Sequence, residues 1–269
     1  MKNTLNIPVG ICEYVCLYDK FQALTAYLSL QMNCSGIITL KAARKVIKCL
    51  PGFKSQISRR KIFLELTELK WIGIDPKRNV IHIRSFRTIC FGISVPFSRV
   101  VRFEYNDLNN VRFFTYGTVL NQKLLIQKYA IKLQSKGGTP VAKKSDATQQ
   151  ESYPGLGKPG LAKLFQCSET KAIRIKQACA KSGYVYVKKK MRKILSLKNA
   201  DYNISMYLKE IYGEKSFMLK FRKNYKDNTV DVYAVQRDEM EPLMKFKKRG
   251  KGRFNGIKQL STENIDIIK

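Results

Sequence analysis

Histidine and tryptophan are nearly absent from this sequence, which has one of each, His82 and Trp71, among its 269 residues. The seven cysteines contain no Cys-x-x-Cys pair. Neither the cysteines nor the single histidine therefore has the spacing of a zinc site. The cysteines are odd in number and lie mostly within apolar patterns, where cysteine behaves as a small hydrophobic residue. This usage favours a reduced, intracellular protein without bound metal.

Acidic residues are also scarce. Only 20 Asp and Glu stand against 51 Lys and Arg, which gives a formal net charge of +31. Repulsion among so many like charges opposes compaction unless a polyanion is bound, so nucleic acid is the favoured partner and an anionic membrane surface the second. The imbalance is strongest between residues 163 and 198, where eleven basic residues accompany one acid, Glu169.

Long apolar runs and catalytic patterns are missing as well. No apolar stretch reaches the roughly 18 residues of a membrane span, and the N-terminus lacks the apolar core of a signal peptide. Residues 155–160 resemble a phosphate-binding loop but lack its spacing and its hydroxyl residue after lysine. We therefore expect a cytoplasmic protein that is not an enzyme and has no cofactor, metal or membrane partner.

A chain of 269 residues is long enough for two domains, at about 150 residues per domain. The sequence contains two blocks in which predicted helices and strands follow one another in a similar order. In the first block, apolar residues recur at helical spacing in three segments, and two β-rich runs follow with turn residues between them. The three helices are predicted over 19–33, 39–50 and 55–69, and the two strands over 71–74 and 80–84.

The second block repeats this order. It is predicted to begin with a long amphipathic helix over 116–136 and a polar insert over 137–153. A short helix over 160–166, a further helix over 169–182 and a hairpin over 184–197 follow. Ser168 is a candidate N-cap for the last helix, and Gly183 is a candidate for its C-terminal cap.

Three helices followed by a β-hairpin is the layout of a winged helix-turn-helix domain. The chain from about residue 17 to 198 resembles a tandem pair of such domains, as in replication initiators of plasmids and phages. The resemblance rests on element order and on an aromatic-rich first strand in each block, LKWIGI and KSGYVYV. It implies an α+β fold with an N-terminal segment, a first winged-helix domain, a connector, a second winged-helix domain and a basic C-terminal extension, over 1–16, 17–88, 89–114, 115–198 and 199–269.

The third helix of the second block has two contrasting faces. At about 100° per residue, Ala172, Ile175 and Cys179 fall on an apolar side. The opposite side carries a row made of Thr170, Arg174, Gln177 and Lys181, and Lys171 in the first turn is a further candidate for DNA contact. In a winged helix this face lies in the major groove, where Arg binds guanine and Gln binds adenine. The hairpin would act as a wing whose basic residues contact phosphates or reach into the minor groove, namely Lys188, Lys189, Lys190, Arg192 and Lys193.

The first block and the C-terminal extension are expected to contribute less than the second block to the recognition of DNA sequence. The outward face of the third helix in the first block includes Leu64 and Glu68, which suit a protein contact at least as well as DNA. We expect either a homodimer through this block or weak phosphate contact through Arg59, Arg60, Lys77 and Arg78. Near the C-terminus a glycine-containing basic arm, predicted to be flexible, includes Lys247, Lys248 and Arg249.

These patterns lead to two functional hypotheses. The first is a double-stranded DNA-binding protein that reads sequence through a helix-turn-helix and a basic wing, as a replication initiator or a transcription regulator of a mobile element would. The second is a structural or packaging protein that coats nucleic acid without reading sequence, in a virion for example. The 14 Phe and 14 Tyr residues also permit stacking on single strands or RNA.

Overall fold

A computed structural model describes residues 4–34, 36–136, 156–188, 191–198, 219–224, 226, 229–235 and 238–248. In the first half of the chain these residues form β1 (Thr4–Pro8), α1 (Val9–Leu17), α2 (Phe21–Asn33), β2 (Ile37–Thr39), α3 (Leu40–Lys48), α4 (Gln56–Glu68), β3 (Ile72–Asp75), β4 (Val80–Ile83), α5 (Phe86–Gly92), β5 (Arg99–Glu104) and a 3₁₀ helix (Tyr105–Asn110). In the second half they form α6 (Val111–Lys136), α7 (Lys158–Phe165), α8 (Glu169–Lys181), β6 (Val185–Lys188), β7 (Met191–Lys198), β8 (Leu219–Asn224), β9 (Thr229–Val235), β10 (Glu239–Pro242) and β11 (Phe246–Lys248).

The strands pair in four small antiparallel sheets, with the orders β1-β5-β11, β2-β4-β3, β10-β6 and β7-β9-β8. Helices accompany these sheets throughout, so the α+β class predicted from the sequence is confirmed. Within the described ranges, no helix combines the length and the apolar character needed to cross a membrane.

The chain divides into two compact units, each built from separate segments. Unit 1 comprises Met1–Ile11, Ala26–Tyr105 and Lys245–Lys269, and unit 2 comprises Cys12–Thr25 and Asn106–Met244. These units differ from the segments drawn from the sequence. The N-terminal segment 1–16, the connector 89–114 and the extension 199–269 are each divided between both units.

In unit 1, the sequence itself supplies the caps that begin α3 and α4. The Thr39 hydroxyl accepts a hydrogen bond from the Ala42 amide at 3.3 Å, and the Ser55 hydroxyl accepts one from the Ser58 amide at 3.0 Å. β3 and β4 form the predicted hairpin, and β2 extends their sheet along the other edge of β4. The first block thus has its three helices and its hairpin in the predicted order, with one additional strand.

The core of unit 1 is organised around the fully buried Trp71. The Tyr27 ring meets the indole edge-to-face at a centroid distance of 5.5 Å, and its hydroxyl donates to the Arg84 carbonyl at 2.6 Å. Burial raises the pKa of Tyr27, so the hydroxyl remains a donor. These contacts fix the end of β4 against α2.

The hairpin predicted over 184–197 is wrong. β6 pairs with β10 and β7 pairs with β9, so the two strands belong to different sheets. The register places Val187 opposite the buried Met240, an apolar partner more than fifty residues away that the local pattern does not reveal. Residues 217–235, with turn residues at 226–228, have the sequence pattern of another hairpin, and β8 and β9 pair antiparallel as this pattern predicts.

The flexible basic arm predicted from residue 245 onward is wrong in its first part. β11 pairs antiparallel with β5, and Phe246 lies opposite Val101. Phe246 is half-buried and the lysines on either side of it are exposed. This alternation suits an edge strand that has one face turned inward and the other turned towards solvent. Arg249 and the rest of the arm lie outside the described residues, as does the predicted insert 137–153.

Candidate nucleic-acid interface

Helices α7 and α8 of unit 2 are joined by a short turn with defined caps. Gln166 ends α7 in the left-handed conformation, with a φ of 48°, and the Ser168 hydroxyl accepts a hydrogen bond from the Lys171 amide at 3.4 Å. Gly183 follows α8 with a φ of 75°, and the next amide, that of Tyr184, donates to the Cys179 carbonyl at 3.0 Å. Both predicted caps, Ser168 and Gly183, are confirmed.

The apolar face of α8 is buried as predicted. Ala172, Ile175 and Cys179 are all buried, and the Cys179 thiol donates to the Phe113 carbonyl of α6 at 3.5 Å. Burial raises the pKa of Cys179 to about 12, so the thiol stays protonated and serves as a small packing group. α8 is therefore held against α6 by one fixed face.

The opposite face of α8 is polar and exposed. All five side chains predicted from the sequence are exposed. Thr170, Arg174, Gln177 and Lys181 form one row on this face, and Lys171 is exposed beside the row. One acid, Glu169, is also exposed, in the first turn, where the helix dipole favours negative charge. Lys176 differs from these residues because its ammonium is paired with Asp238 and its side chain is largely buried.

Asn121 of α6 is a supporting residue that the sequence did not single out. Its side chain is fully buried, and its amide nitrogen donates to the carbonyls of Gly117, at 2.6 Å, and Tyr184, at 2.8 Å. Its amide oxygen accepts from the Met244 amide at 3.1 Å. Asn121 thus ties α6 to the residue that precedes β6 and to the segment that follows β10. An asparagine within the apolar stripe of a helix was the signal that could have identified it.

Tyr184, between α8 and β6, is held from three sides. Its hydroxyl donates to Asp107 at 2.8 Å, and its ring meets Phe114 edge-to-face at 5.7 Å. Burial, together with the hydrogen bond to Asp107, raises the pKa of Tyr184. Its Cβ lies so close to Gly117 that a Cβ built on that glycine would be 2.6 Å away, so only glycine fits there.

The wing predicted from the sequence is less basic than expected, because acidic residues on neighbouring strands lie beside its basic side chains. Lys188 is exposed on β6, but the register places Glu239 opposite it. The Lys193 ammonium lies 2.7 Å from a carboxylate oxygen of Asp231, and this contact holds the pKa of that carboxyl below its usual value. Arg192 is exposed, whereas Lys189 and Lys190 lie outside the described residues. The surface formed by these strands therefore has both basic and acidic side chains, and the acidic ones belong to β9 and β10.

In unit 1, the structure separates the four predicted phosphate contacts into two kinds. Arg60, Lys77 and Arg78 are exposed, although Arg78 lies 3.9 Å from Asp75. The Arg59 guanidinium instead donates to the Phe53 carbonyl at 3.1 Å and to the Lys54 carbonyl, so it braces the turn before α4.

Two further basic surfaces of unit 1 are present. Lys247 is exposed on β11, and Lys248 belongs to the same strand. Sequence reasoning predicted helix α3 but missed its exposed basic residues, Lys41, Arg44, Lys45 and Lys48. Their spacing of three or four residues was the available signal, because it puts them on neighbouring positions of one helical surface.

Within the described part of the chain, no group of three or more His, Cys, Asp or Glu is arranged to hold a metal ion. Comparison with known protein families, curated proteins and solved structures gave no match to this chain.

Proposed function

We propose that this protein binds double-stranded DNA and that α8 of unit 2 is the helix that reads base edges. The observation that carries the proposal is the division of α8 into a buried apolar face and an opposite exposed row of four polar side chains, Thr170, Arg174, Gln177 and Lys181. On the exposed face, Arg174 and Gln177 are neighbours one turn apart. Arginine pairs with guanine and glutamine with adenine through two hydrogen bonds each, so this face suits the major groove.

The element order supports a winged-helix interpretation of both units. In unit 1, α3 and α4 are followed by the β3–β4 hairpin, and in unit 2, α7 and α8 are followed by β6. The wing of unit 2 would then be formed by strands of two sheets, with Lys188 and Arg192 as exposed cations near the phosphates. Unit 1 would add sequence-independent phosphate contact through α3, which has no acidic residue.

The biological role that fits two such units is that of a replication initiator or a transcription regulator of a mobile element. Both roles require one preferred site to be chosen over random DNA. Specific binders typically prefer their site by about 10³-fold or more at physiological salt. A packaging protein has no such requirement, since it needs to hold any sequence.

Selection of bound duplexes from a random library tests the proposal. The affinity of the full chain for the selected duplex is then compared with its affinity for a scrambled duplex, for the single strand and for RNA of the same sequence. We expect a preference of about 10³-fold for the selected duplex. Equal affinity for the selected and scrambled duplexes would favour the packaging role, and a preference for the single strand or RNA would overturn duplex reading.

A further inference from the structure

A cleft of about 630 Å³ lies beside α3 and α4 in unit 1. Its apolar part is made by Phe63, Leu64 and Ile74, and its rim includes Arg44 and Lys48 among five basic side chains. None of the residues that line the cleft is acidic. The cleft therefore combines an apolar surface with an uncompensated positive rim.

The apolar part of the cleft is open to solvent. Leu64 is 63% exposed and Ile74 is 39% exposed, whereas Phe63 is buried. Adjacent exposed apolar residues mark contact surfaces, because their burial by a partner is favourable. Duplex DNA presents mainly phosphates and few apolar groups, so an acidic peptide with aliphatic side chains matches this cleft better.

We propose that the cleft binds residues 259–268 of the same chain, QLSTENIDII. This segment contains two acids, Glu263 and Asp266, and no Lys or Arg. It also supplies aliphatic side chains, those of Leu260, Ile265, Ile267 and Ile268. Its acids match the basic rim in charge, and its aliphatic side chains match Leu64 and Ile74.

The strand β11, which precedes this segment, belongs to the same unit as the cleft. β11 pairs with β5 of unit 1 and ends at Lys248. Residues 249–258 form a connection of ten residues, which can extend to at most about 33–36 Å. A short tether of this kind gives an effective concentration in the millimolar range, so even a weak contact would be populated.

The contact has a consequence for nucleic-acid binding, and this consequence rests on the proposed function. The two acids would neutralise part of the cationic surface of α3 and α4 and would compete with phosphates for it. Binding of DNA by unit 1 would therefore displace the segment.

Photo-cross-linking of the full chain, without DNA, tests the inference. Benzoylphenylalanine is placed at position 265, and the cross-linked peptides are identified by mass spectrometry. We expect products within one chain that join position 265 to α3 or α4. The double variant Arg44→Glu with Lys48→Glu should lower their yield about fivefold. Lys70→Glu changes the same kind of charge outside the cleft and should leave the yield unchanged.

Three results would overturn the proposal. They are cross-links elsewhere in the chain, a yield that the double variant does not lower, and products that join isotopically light and heavy chains, which would indicate a second copy as the occupant. Should the double variant unfold, Glu263→Lys with Asp266→Lys reverses the other partner and should also lower the yield about fivefold. Because DNA is absent, failure of the proposed function would not affect this outcome.

Discussion

Individual side chains of unit 2 fix the positions of α8 and β6 relative to α6. Gly117 and Asn121 lie one turn apart on α6, and both contact Tyr184, the residue that leads from α8 into β6. The glycine allows the close approach of the tyrosine, and the asparagine satisfies its buried carbonyl. Backbone polar groups buried without such a partner are costly, so these two positions tolerate few substitutions.

Gly117→Ala is expected to destabilise the protein. The added methyl group would lie 2.6 Å from the Tyr184 Cβ, which no rotamer change can move away. Overpacking of this kind costs about 1–3 kcal/mol, more than the ~1 kcal/mol that alanine gains over glycine in a helix. Urea unfolding followed by circular dichroism measures the difference.

Gly92→Ala is the matched control, because a Cβ built on that glycine meets no atom within 4 Å. Its unfolding midpoint should stay the same or rise slightly. Similar losses for both variants would show that the contact with Tyr184 is not the cause.

Arg174→Ala is expected to lower affinity for the selected duplex by about 1–3 kcal/mol and to relax base preference at one position. The reason is the loss of two hydrogen bonds to one base, while the buried face of α8 is untouched. Fluorescence anisotropy with selected and scrambled duplexes measures both effects. Lys123→Ala removes one exposed charge from α6 and should leave the preference unchanged. Equal losses on both duplexes for Arg174→Ala would argue against base reading.

At the scale of elements, strands from the end of the chain complete sheets begun much earlier. β10 pairs with β6, and β11 pairs with β5 and so becomes the third strand of the sheet that β1 begins. These pairings join residues that are distant in sequence, so strands β6 and β5 both rely on residues after 238. Truncation should therefore have effects that change sharply at a strand boundary.

Ending the chain after Met244 should destabilise unit 1 more than ending it after Lys248. The shorter chain loses β11, which removes its hydrogen bonds to β5 and leaves one edge of β5 unpaired. We expect a difference of about 1–2 kcal/mol, or a few degrees in Tm. Thermal unfolding of the two truncated chains measures it, and equal Tm values would contradict a structural role for β11.

At the scale of the whole molecule, the net charge of +31 is distributed unevenly. Asp231 of β9 and Glu239 of β10 lie beside the predicted wing, and Asp231 is paired with Lys193. Asp238, between these two strands, is paired with Lys176 of α8. α3 and the exposed face of α8 instead keep their basic residues exposed, with Glu169 as the one acid among the residues of these two helices. The charge available for phosphate contact is therefore smaller than the total.

Duplex binding should weaken steeply with salt. Five exposed basic residues lie on α8, β6 and β7, namely Lys171, Arg174, Lys181, Lys188 and Arg192. If each neutralises one phosphate, the plot of log affinity against log salt has a slope of about −4.5, and contacts from unit 1 would make it steeper. Titrations of a scrambled duplex at several salt concentrations measure the slope. A slope near zero would rule out phosphate contact as the source of affinity.

Features that depend on neighbouring residues were predictable from the amino-acid sequence. The caps at Ser168 and Gly183, the two faces of α8, the β3–β4 hairpin and the β8–β9 hairpin all follow from local spacing and turn residues. Their physical causes act within a few residues, through helix periodicity, side-chain hydrogen bonds to nearby amides and glycine at a positive φ. The exposed polar row on α8 is therefore the part of the candidate site that was predictable.

The pairing of the strands and the exposure of the charged side chains depend instead on contacts between residues far apart in the chain. Tyr184–Leu197 looked like a hairpin because its two runs are adjacent, yet Val187 pairs with Met240 and Lys193 with Asp231 through partners far along the chain. Arg59 looked like a phosphate contact, yet its guanidinium is hydrogen-bonded to the preceding turn. Strand pairing and ion pairing depend on distances in space between residues that local sequence does not relate, and folding alone sets those distances.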